Sequence, residues 1–466
     1  MRCVRVDKGF SEDPERYRSS GADLLEIPLD LFDRVSPGKL RLLCDRTGLR
    51  ALASAGGTGR GGNGLLENAI HARFDLVKLE LDMDVETRGR IIALARKHGA
   101  KVVLYQSSPR PPRSVESVVR IFQKCSRAGG DLGLAGFQVS RAQDVRFLRD
   151  AGPAVRAMGL PHGYSGTGRL AQLVPVLPAD LKYGVAENRS REGLDMATLS
   201  AIGPITRLFA IVGEPAHPAF SAGLYSRAFR EQGQDCVCLH LFPEHDDLGD
   251  TVKLLDEMGF DGFLVGRPFR EKVLRHVAPP PGGTGAAGAV IRQNGRFAGR
   301  DTGGPALLAA LDAAGVRVHR RRALVLGPGG AARSAAAALR SRGAQVVIAG
   351  RNLRLTLTAA AAVRAGAAPL SSAAAVLSRS SLLVNCIPEG ALEIVGGENL
   401  RREMVVADLA CCPPTTPLLA CALEAGALTV PGTSVAVQEA CSSLRLFTGE
   451  TFPRELLEKL LARAAL

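Results

Sequence analysis

Gly327-Pro328-Gly329-Gly330-Ala331-Ala332-Arg333 is the stretch whose chemistry reads most directly. It follows an apolar run, Arg322–Gly327 (RALVLG), and opens a helical pattern. Glycines there let the backbone come close to a pyrophosphate, and a helix N-terminus supplies N–H groups and the positive end of a dipole. Pro328 works the other way, because it offers no N–H and fixes φ, as a purely structural turn would. The next apolar run, Ala344–Gly350, ends in Gly350-Arg351-Asn352 with no acidic residue. A carboxylate there would accept from the ribose 2′-hydroxyl of NAD, whereas Arg351 suits the 2′-phosphate of NADP. The candidate cofactor-binding residues are therefore Gly327, Gly329, Gly330, Ala331, Arg351 and Asn352, with NADP as the expected cofactor.

Other chemistry-bearing residues are weaker. Cys236-Val-Cys238-Leu-His240 on a strand would place three ligands on one face, but no second ligand pair follows at a metal-binding spacing, so no metal is expected. The ten cysteines are scattered and read as small apolar residues rather than a disulfide framework. His240, Glu244, His245, Asp246 and Asp247 read as a solvated loop. His162, in LPHGYSGTG, falls in a loop where it could meet a ligand. The basic run Arg317–Arg322 (RVHRRR) has no interleaved aromatics, and the chain has no Trp, so nucleic-acid binding is not expected despite a net charge of 59 − 46 = +13.

These residues need a scaffold. A chain of 466 residues, 46% apolar and 23% charged, is large enough for two or three domains and too apolar for wholesale disorder. Only ten of the 59 basic residues are lysines, a composition-wide preference for arginine. No apolar run reaches the ~18–20 residues of a membrane span, and the start MRCVRVDKGFSEDPE has no apolar signal core, so a cytoplasmic location is expected. Short apolar segments at Arg2–Val6, Asp23–Pro28, Ala51–Ser54, Phe74–Leu81, Lys101–Tyr105, Asp131–Phe137, Val155–Gly159 and Leu181–Val185 alternate with helical patterns such as Val85–His98 and Ser114–Ala128. Eight such units predict a parallel (β/α)₈ barrel. A second α/β block starts near Leu208–Gly213, and Pro279–Gly285 (PPPGGTG) reads as a turn or hinge. Ala359–Val376 reads as mostly helical, broken between Gly366 and Pro369.

The ordered motifs resemble a known fusion. Residues 1–203 resemble type I 3-dehydroquinate dehydratase, through ADLLEIPLD (Ala22–Asp30), FDLVKLELD (Phe74–Asp82), KVVLYQSSPRPP (Lys101–Pro112) and GGDLGLAGFQVSRAQDVRFL (Gly129–Leu148). The remainder resembles shikimate dehydrogenase, through GEPAHPAFSAGLYSRAF (Gly213–Phe229), GFLVGRPFREKV (Gly262–Val273), GAVIRQNGRFAGRDTGGPAL (Gly288–Leu307), GPGGAAR, AGRN, VNCIP, DLACCPPTTPLL (Asp408–Leu419) and LRLFTGE (Leu444–Glu450). This order is that of plant-type bifunctional shikimate-pathway proteins. The resemblance implies a substrate domain over 204–304, completed by helices in 436–466, and a Rossmann NADP domain over 305–435. It implies as ligand a small cyclic hydroxy or keto acid, or none, and as partners other shikimate-pathway proteins.

The same resemblance locates the chemistry, and there the chain departs from both families. The dehydratase lysine that would form a Schiff base falls on Leu134, and its histidine on Ser107. Two substrate-clasping arginines fall on Pro28 and Gly56, the late Gln on Leu194, while Arg169 and Ser190 stay in place. Leucine forms no imine and serine does not titrate near neutrality. Lys78 and Lys182, also on barrel strands, read as structural. The dehydrogenase Lys–Asp pair falls on Arg270 and Gly303; arginine holds an oxygen but is a poor proton shuttle. Of the serine pair that grips the substrate carboxylate, Ser221 remains and Ala219 replaces the other. Leu264-Val265-Gly266 and Ile291-Arg292 replace polar motifs, Thr302 survives beside Asp301, and the late Gln falls on Glu439, with Gln438 one residue early. Substrate-binding candidates are Ser221, Arg270, Thr302 and Arg169, and no catalytic group is retained. The expectation is a protein silent as a dehydratase and silent or redirected as a dehydrogenase, with an active NADP-dependent oxidoreductase as the alternative.

Overall fold

The computed structural model describes residues 1–18, 20–32, 34–56, 60–185, 193–214, 221–281, 284–411, 413 and 415–464. It divides into two compact units, Met1–Thr206 with Leu239–Leu254, and Arg207–Cys238 with Leu255–Leu466.

The first unit is built on a closed barrel of eight parallel strands in sequential order: β1 (Arg2–Arg5), β2 (Leu24–Pro28), β3 (Arg50–Ser54), β4 (Leu76–Glu80), β5 (Lys101–Ser108), β6 (Leu132–Gln138), β7 (His162–Thr167) and β8 (Leu181–Gly184). β8 pairs back onto β1, with Arg2 opposite Lys182. One end of the barrel is filled by Cys3, Leu24, Leu52, Leu76, Val103, Leu132, Leu134 and Leu181. Seven of the expected strands are present, and the eighth needs a correction. Val155–Gly159 is not a strand: Val155 lies in the last turn of the helix Ala142–Ala157, where Val145, Leu148, Ala151 and Val155 are buried at helical spacing. Gly159, at φ 70°, ends that turn, and the seventh strand follows at His162.

The second unit holds two sheets. A five-stranded sheet runs in the order β10 (Cys236–Leu241), β9 (Arg207–Val212), β11 (Gly262–Val265), β12 (Ala289–Gln293), β13 (Arg296–Arg300). β12 and β13 form an antiparallel hairpin whose turn, Asn294-Gly295, has positive φ at both residues (49° and 76°), as a two-residue turn of the primed type requires. Phe209 and Ile211 of this sheet share a core with Tyr225, Phe229, Ala440, Leu444, Phe447, Leu457 and Leu460, so the last two helices, Gly432–Thr448 and Arg454–Ala464, pack on it.

The six-stranded sheet is entirely parallel: β16 (Gly366–Pro369), β15 (Gln345–Gly350), β14 (Arg322–Leu326), β17 (Leu382–Asn385), β18 (Val405–Asp408), β19 (Leu428–Pro431). That order is the doubly wound one of dinucleotide-binding sheets. Along β14, Ala323 and Val325 enter one core while Leu324 and Leu326 enter the other, so both faces are covered. The expected helical break at Gly366–Pro369 is the edge strand β16; Pro369 ends it where no ladder N–H is needed.

β9 and β11 approach most closely just past their ends. Arg267 N donates to Glu214 O (2.9 Å) and Glu214 N to Arg267 O (2.8 Å), and a Cβ on Gly266 would run into the Glu214 carbonyl. Gly266→Ala is therefore expected to lower stability by about 1–3 kcal/mol, read as a fall in denaturation midpoint; an unchanged midpoint would show that this approach is not tight.

Candidate active site

A cavity of about 510 Å³ in the second unit brings together three segments that are distant in sequence: Arg267–Lys272 after β11, the Gly329-Gly330-Ala331 turn after β14, and the helix Gly432–Thr448. Arg270 reaches it because Phe269 and Val273 are buried on either side and anchor the loop. Its Nε donates to the Val265 carbonyl (3.1 Å) and its Nη2 to Glu439 Oε1 (3.0 Å). The same carboxylate oxygen accepts from Thr302 Oγ1 at 2.5 Å. Glu439 is 7% exposed, on the inward stripe of its helix with Val435, Ala436 and Ser443. Gly303 also lines the cavity, and a Cβ there would stand 3.6 Å from Arg270 Nη1 and 3.3 Å from Ser334 Oγ. Asp301, at the end of the β12–β13 hairpin, accepts from Ser334 Oγ (2.6 Å). Burial pushes its carboxyl above the usual range against the pull of Ser334, and the nearby Glu439 carboxylate adds to the rise.

The Gly-rich turn joins β14 to the helix Gly330–Ser341. Gly327 has φ 100°, Gly329 caps the helix, and a Cβ on Gly329 would meet nothing within 4 Å. On the other side the fit is close: a Cβ on Gly330 would lie 2.9 Å from Ala286 Cβ. The turn therefore offers an open face at a helix N-terminus, which fits a pyrophosphate. Arg333, one turn into that helix, donates to the Thr284 and Gly285 carbonyls (3.1 and 2.9 Å) and pairs with Glu271 (2.9 Å). Arg351 is exposed beyond β15. Asn352 is a helix cap, its side chain accepting from Leu355 N at 3.1 Å. Asn385 and Asp408, at the ends of β17 and β18, are joined side chain to side chain (2.8 Å). Asp408 also accepts from Thr416 (2.6 Å), fixing the loop that carries Leu409 and Cys411 into the cavity.

The structure thus brings Arg270, Gly303, Gly329, Gly330 and Ala331 to one cavity, with Thr302 behind them. Ser221 instead caps the helix Ala222–Glu231 and accepts from Leu224 N (3.3 Å). Ala219 and Ser190 lie outside the described residues. What sequence reasoning missed is the role of Glu439. The signal was present, since an acid replaces an expected amide while an arginine replaces an expected lysine, but only the fold shows the two in contact.

In the barrel, Leu134 is fully buried among the lumen side chains and Ser107 is exposed at the end of β5. Arg169 is exposed, and Leu194 is buried. Pro28 ends β2, and Gly56 N donates to Asp30 (3.2 Å). Glu26 and Lys78 pair in the lumen. Lys78 Nζ donates to Glu26 Oε1 (2.9 Å) and lies 4.4 Å from the Tyr105 ring centroid; Ser54 and Tyr183 hydroxyls donate to the same carboxylate (2.9 and 2.7 Å). Lys182 is half-buried, and burial pulls its ammonium below the ordinary value. His162 is no loop residue: it is buried on β7, its ring 5.8 Å from that of Phe122 and 5.6 Å from that of Tyr164, and burial pulls its pKa down against the nearby Asp180.

Cys236 and Cys238 are core residues whose thiols burial pushes up. The Glu244–Asp247 loop is exposed at His245 and Asp246 and also anchored: Arg141 donates to Glu244 (2.8 Å) and Asp246 (3.1 Å), and the buried Asp247 accepts from Ala142 N (2.8 Å). Among the described residues no group of three His, Cys, Asp or Glu side chains could hold a metal, and no helix is long and apolar enough to cross a membrane.

A doubly wound parallel sheet beside a mixed sheet, with a cavity at the Gly-rich turn, defines a two-domain dinucleotide-binding architecture. The chain belongs to the shikimate dehydrogenase family. It is 31% identical over 254 residues to the shikimate dehydrogenase (NADP(+)) of Thermococcus kodakarensis, covering 52% of this chain and 92% of that one. It is 24% identical over 509 residues to the chloroplastic bifunctional 3-dehydroquinate dehydratase/shikimate dehydrogenase of Arabidopsis thaliana, spanning 98% of this chain and 83% of the other, so the likeness extends over both halves. Among solved structures, shikimate 5-dehydrogenase of Thermus thermophilus in complex with NADP(H) and shikimate matches with a TM-score of 0.50 and 29% identity, over 56% of this chain and all of that one. No family model matches the chain.

The Glu26–Lys78 pair yields a prediction. Burial alone would raise the Glu26 carboxyl, but the Lys78 ammonium and the Tyr183 hydroxyl hold it below its ordinary value. A carboxyl lowered on folding stabilises above its unfolded pKa of roughly 4.3, and that contribution fades as pH falls through the lower folded value. Lys78→Met leaves a buried carboxylate unpaired and is expected to cost about 3–5 kcal/mol at pH 7. The deficit narrows below pH 4 in denaturation curves; a deficit flat with pH would show the pair to be unimportant.

Proposed function

We propose that this protein is an NADP(H)-binding member of the shikimate dehydrogenase family, fused to a dehydratase-like barrel, that performs neither ancestral reaction and serves the shikimate pathway as a regulatory or assembly subunit. The observation that carries this reading is the closure of Arg270 and Thr302 on the Glu439 carboxylate. Arg270, one of three cations lining the cavity with Arg267 and Lys272, is committed to a buried carboxylate, and the neighbouring Gly303 has no side chain to take a proton. In the barrel, Leu134 and Ser107 leave the dehydratase position without an amine or a base, and Lys78 is held by Glu26.

Gly327, Gly329, Gly330 and Ala331 would hold the pyrophosphate of NADP(H) and Arg351 its 2′-phosphate. When bound, the nicotinamide would supply hydride chemistry. Asn352 caps its helix through Oδ1, which leaves its Nδ2 donors for the 2′-phosphate. The apolar Leu264 and Ile291, at positions where the family resemblance implies polar groups, disfavour a ligand as rich in hydroxyls as shikimate.

A second reading, a redirected oxidoreductase acting on another small cyclic hydroxy or keto acid, is favoured by the Glu439 carboxylate lining the cavity beside Arg270. There it would accept the hydroxyl proton as hydride leaves the same carbon.

Calorimetry with NADPH, then 3-dehydroshikimate, separates the two. Binding of NADPH weakened about tenfold or more by Arg351→Ala, with no NADPH consumption and no dehydration of 3-dehydroquinate, is the expected result. Turnover of a cyclic keto acid that Glu439→Gln abolishes would overturn the silent reading in favour of the second. The combined change Arg270→Lys, Gly303→Asp and Glu439→Gln is expected to raise reduction of 3-dehydroshikimate by about 100-fold or more over the parent chain, the scale of positioned acid–base groups.

A further inference from the structure

A second cavity, of about 520 Å³, lies on the outside of the barrel where β5 ends. Leu132 and Leu134 point into the lumen, so Phe137, an odd number of residues along β6, faces outward, as does Gln106 beside the inward-packed Tyr105. Over that outer face stand the loop Pro109–Arg113 and one side of the helix Val115–Arg127. Four cations line the cavity: Arg110 and Arg113 from the loop, and Arg120 and Lys124 one helical turn apart. From Ser107 to Lys124 the sequence holds these four basic residues and a single acid, Glu116, for a net +3. Glu116 lies one turn before Arg120 and is drawn to it, but it does not line the cavity. All four cationic side chains are exposed.

Two of the neutral hydroxyls nearby are engaged within the protein. Ser108 Oγ accepts from Arg110 N (3.1 Å), and Ser117 Oγ donates to the Ser114 carbonyl (2.7 Å). The charged donors that face a ligand are the guanidinium and ammonium groups, with the exposed Ser107 and the Ser108 hydroxyl beside them. The floor is apolar, with Phe137 and Pro112 buried and Ile121 half-buried. In it Gln106 keeps one buried oxygen, Oε1, without a hydrogen-bond partner. A buried acceptor left unmatched is costly, and a ligand hydroxyl or amine would satisfy it.

We propose that this groove binds a phosphate-bearing small molecule. Its phosphate or diphosphate would sit among Arg110, Arg113, Arg120 and Lys124, its ring or chain on Phe137 and Ile121, and a donor group on Gln106. Arginine forks suit phosphate oxygens, and a phosphate near −2 matches several cations at once. The cavity is of the size that holds one small ligand, and it has no exposed aromatic on which successive bases could stack, which favours a small molecule over a nucleic-acid strand.

The test is titration calorimetry of the full chain with inorganic pyrophosphate, comparing the parent with Arg120→Ala/Lys124→Ala, with Arg113→Glu on the separate loop, and with Arg351→Ala in the other unit. Binding by the parent and by Arg351→Ala, weakened at least about tenfold in each groove variant at unchanged melting temperature, is expected from the loss of charge-assisted contacts. No binding by the parent, equal binding by the groove variants, or loss confined to Arg351→Ala would overturn the proposal. So would a single-stranded oligonucleotide that the groove variants no longer bind and that pyrophosphate fails to displace from the parent.

Discussion

The carboxylate of Glu439 sets the terms for everything around the candidate active site. A charge buried to that extent cannot be left alone, because the cost of stripping its water far exceeds what packing around it returns. The protein answers with two donors from two different elements, the guanidinium of Arg270 after β11 and the hydroxyl of Thr302 at the head of the helix Gly303–Ala313. One side chain thus ties a C-terminal helix to the end of a strand and to the start of another helix. Those are the three walls on which a ligand beside the Gly-rich turn would rest. Glycine at 303 leaves room beside the pair, whereas Asp301, two residues earlier, turns away to Ser334 and keeps its own buried hydrogen bond.

The barrel solves the same problem in its lumen. Glu26 takes three donors, from Lys78, Ser54 and Tyr183, where the resemblance would place a substrate. Buried pairs of this kind seldom add stability over an apolar filling, but removing either partner is severe. The lumen is therefore committed to its own side chains: Leu134 supplies apolar volume and the Glu26–Lys78 pair polar closure. Each unit thus holds a buried carboxylate against a cation, Glu26 on Lys78 in the lumen and Glu439 on Arg270 at the cavity.

Much of this was legible in the chain. Period-two and continuous apolar runs placed seven of the barrel strands, and the strand–glycine–helix pattern at Arg322–Ser341 placed the dinucleotide turn, because backbone geometry near glycine is a local property. Val155–Gly159 misled because a short apolar segment ending in glycine reads the same whether it closes a helix or forms a strand. Asn352 and Ser221 read as ligand contacts, and the fold adds that both cap a helix through their side-chain oxygens, a role that the same residue types serve and that shows only once the following helix is placed. Glu439 and Arg270 are 169 positions apart, and Glu26 and Lys78 are 52 apart. No periodicity links residues at such distances; their partnership exists only once the sheets are assembled.

Arg333 carries a further consequence. It stands one turn inside the helix that begins at the Gly-rich turn, yet its guanidinium is held by the Thr284 and Gly285 carbonyls and by Glu271, the neighbour of Arg270. The mouth of the nucleotide turn and the loop over the cavity are thereby parts of one mechanical linkage with a single rivet. An occupant of the turn that displaced Arg333 would thereby act on the loop beside Arg270, and any such coupling would be equal in both directions. In this one arginine the segment that closes on the Gly-rich turn and the loop beside Arg270 share a side chain.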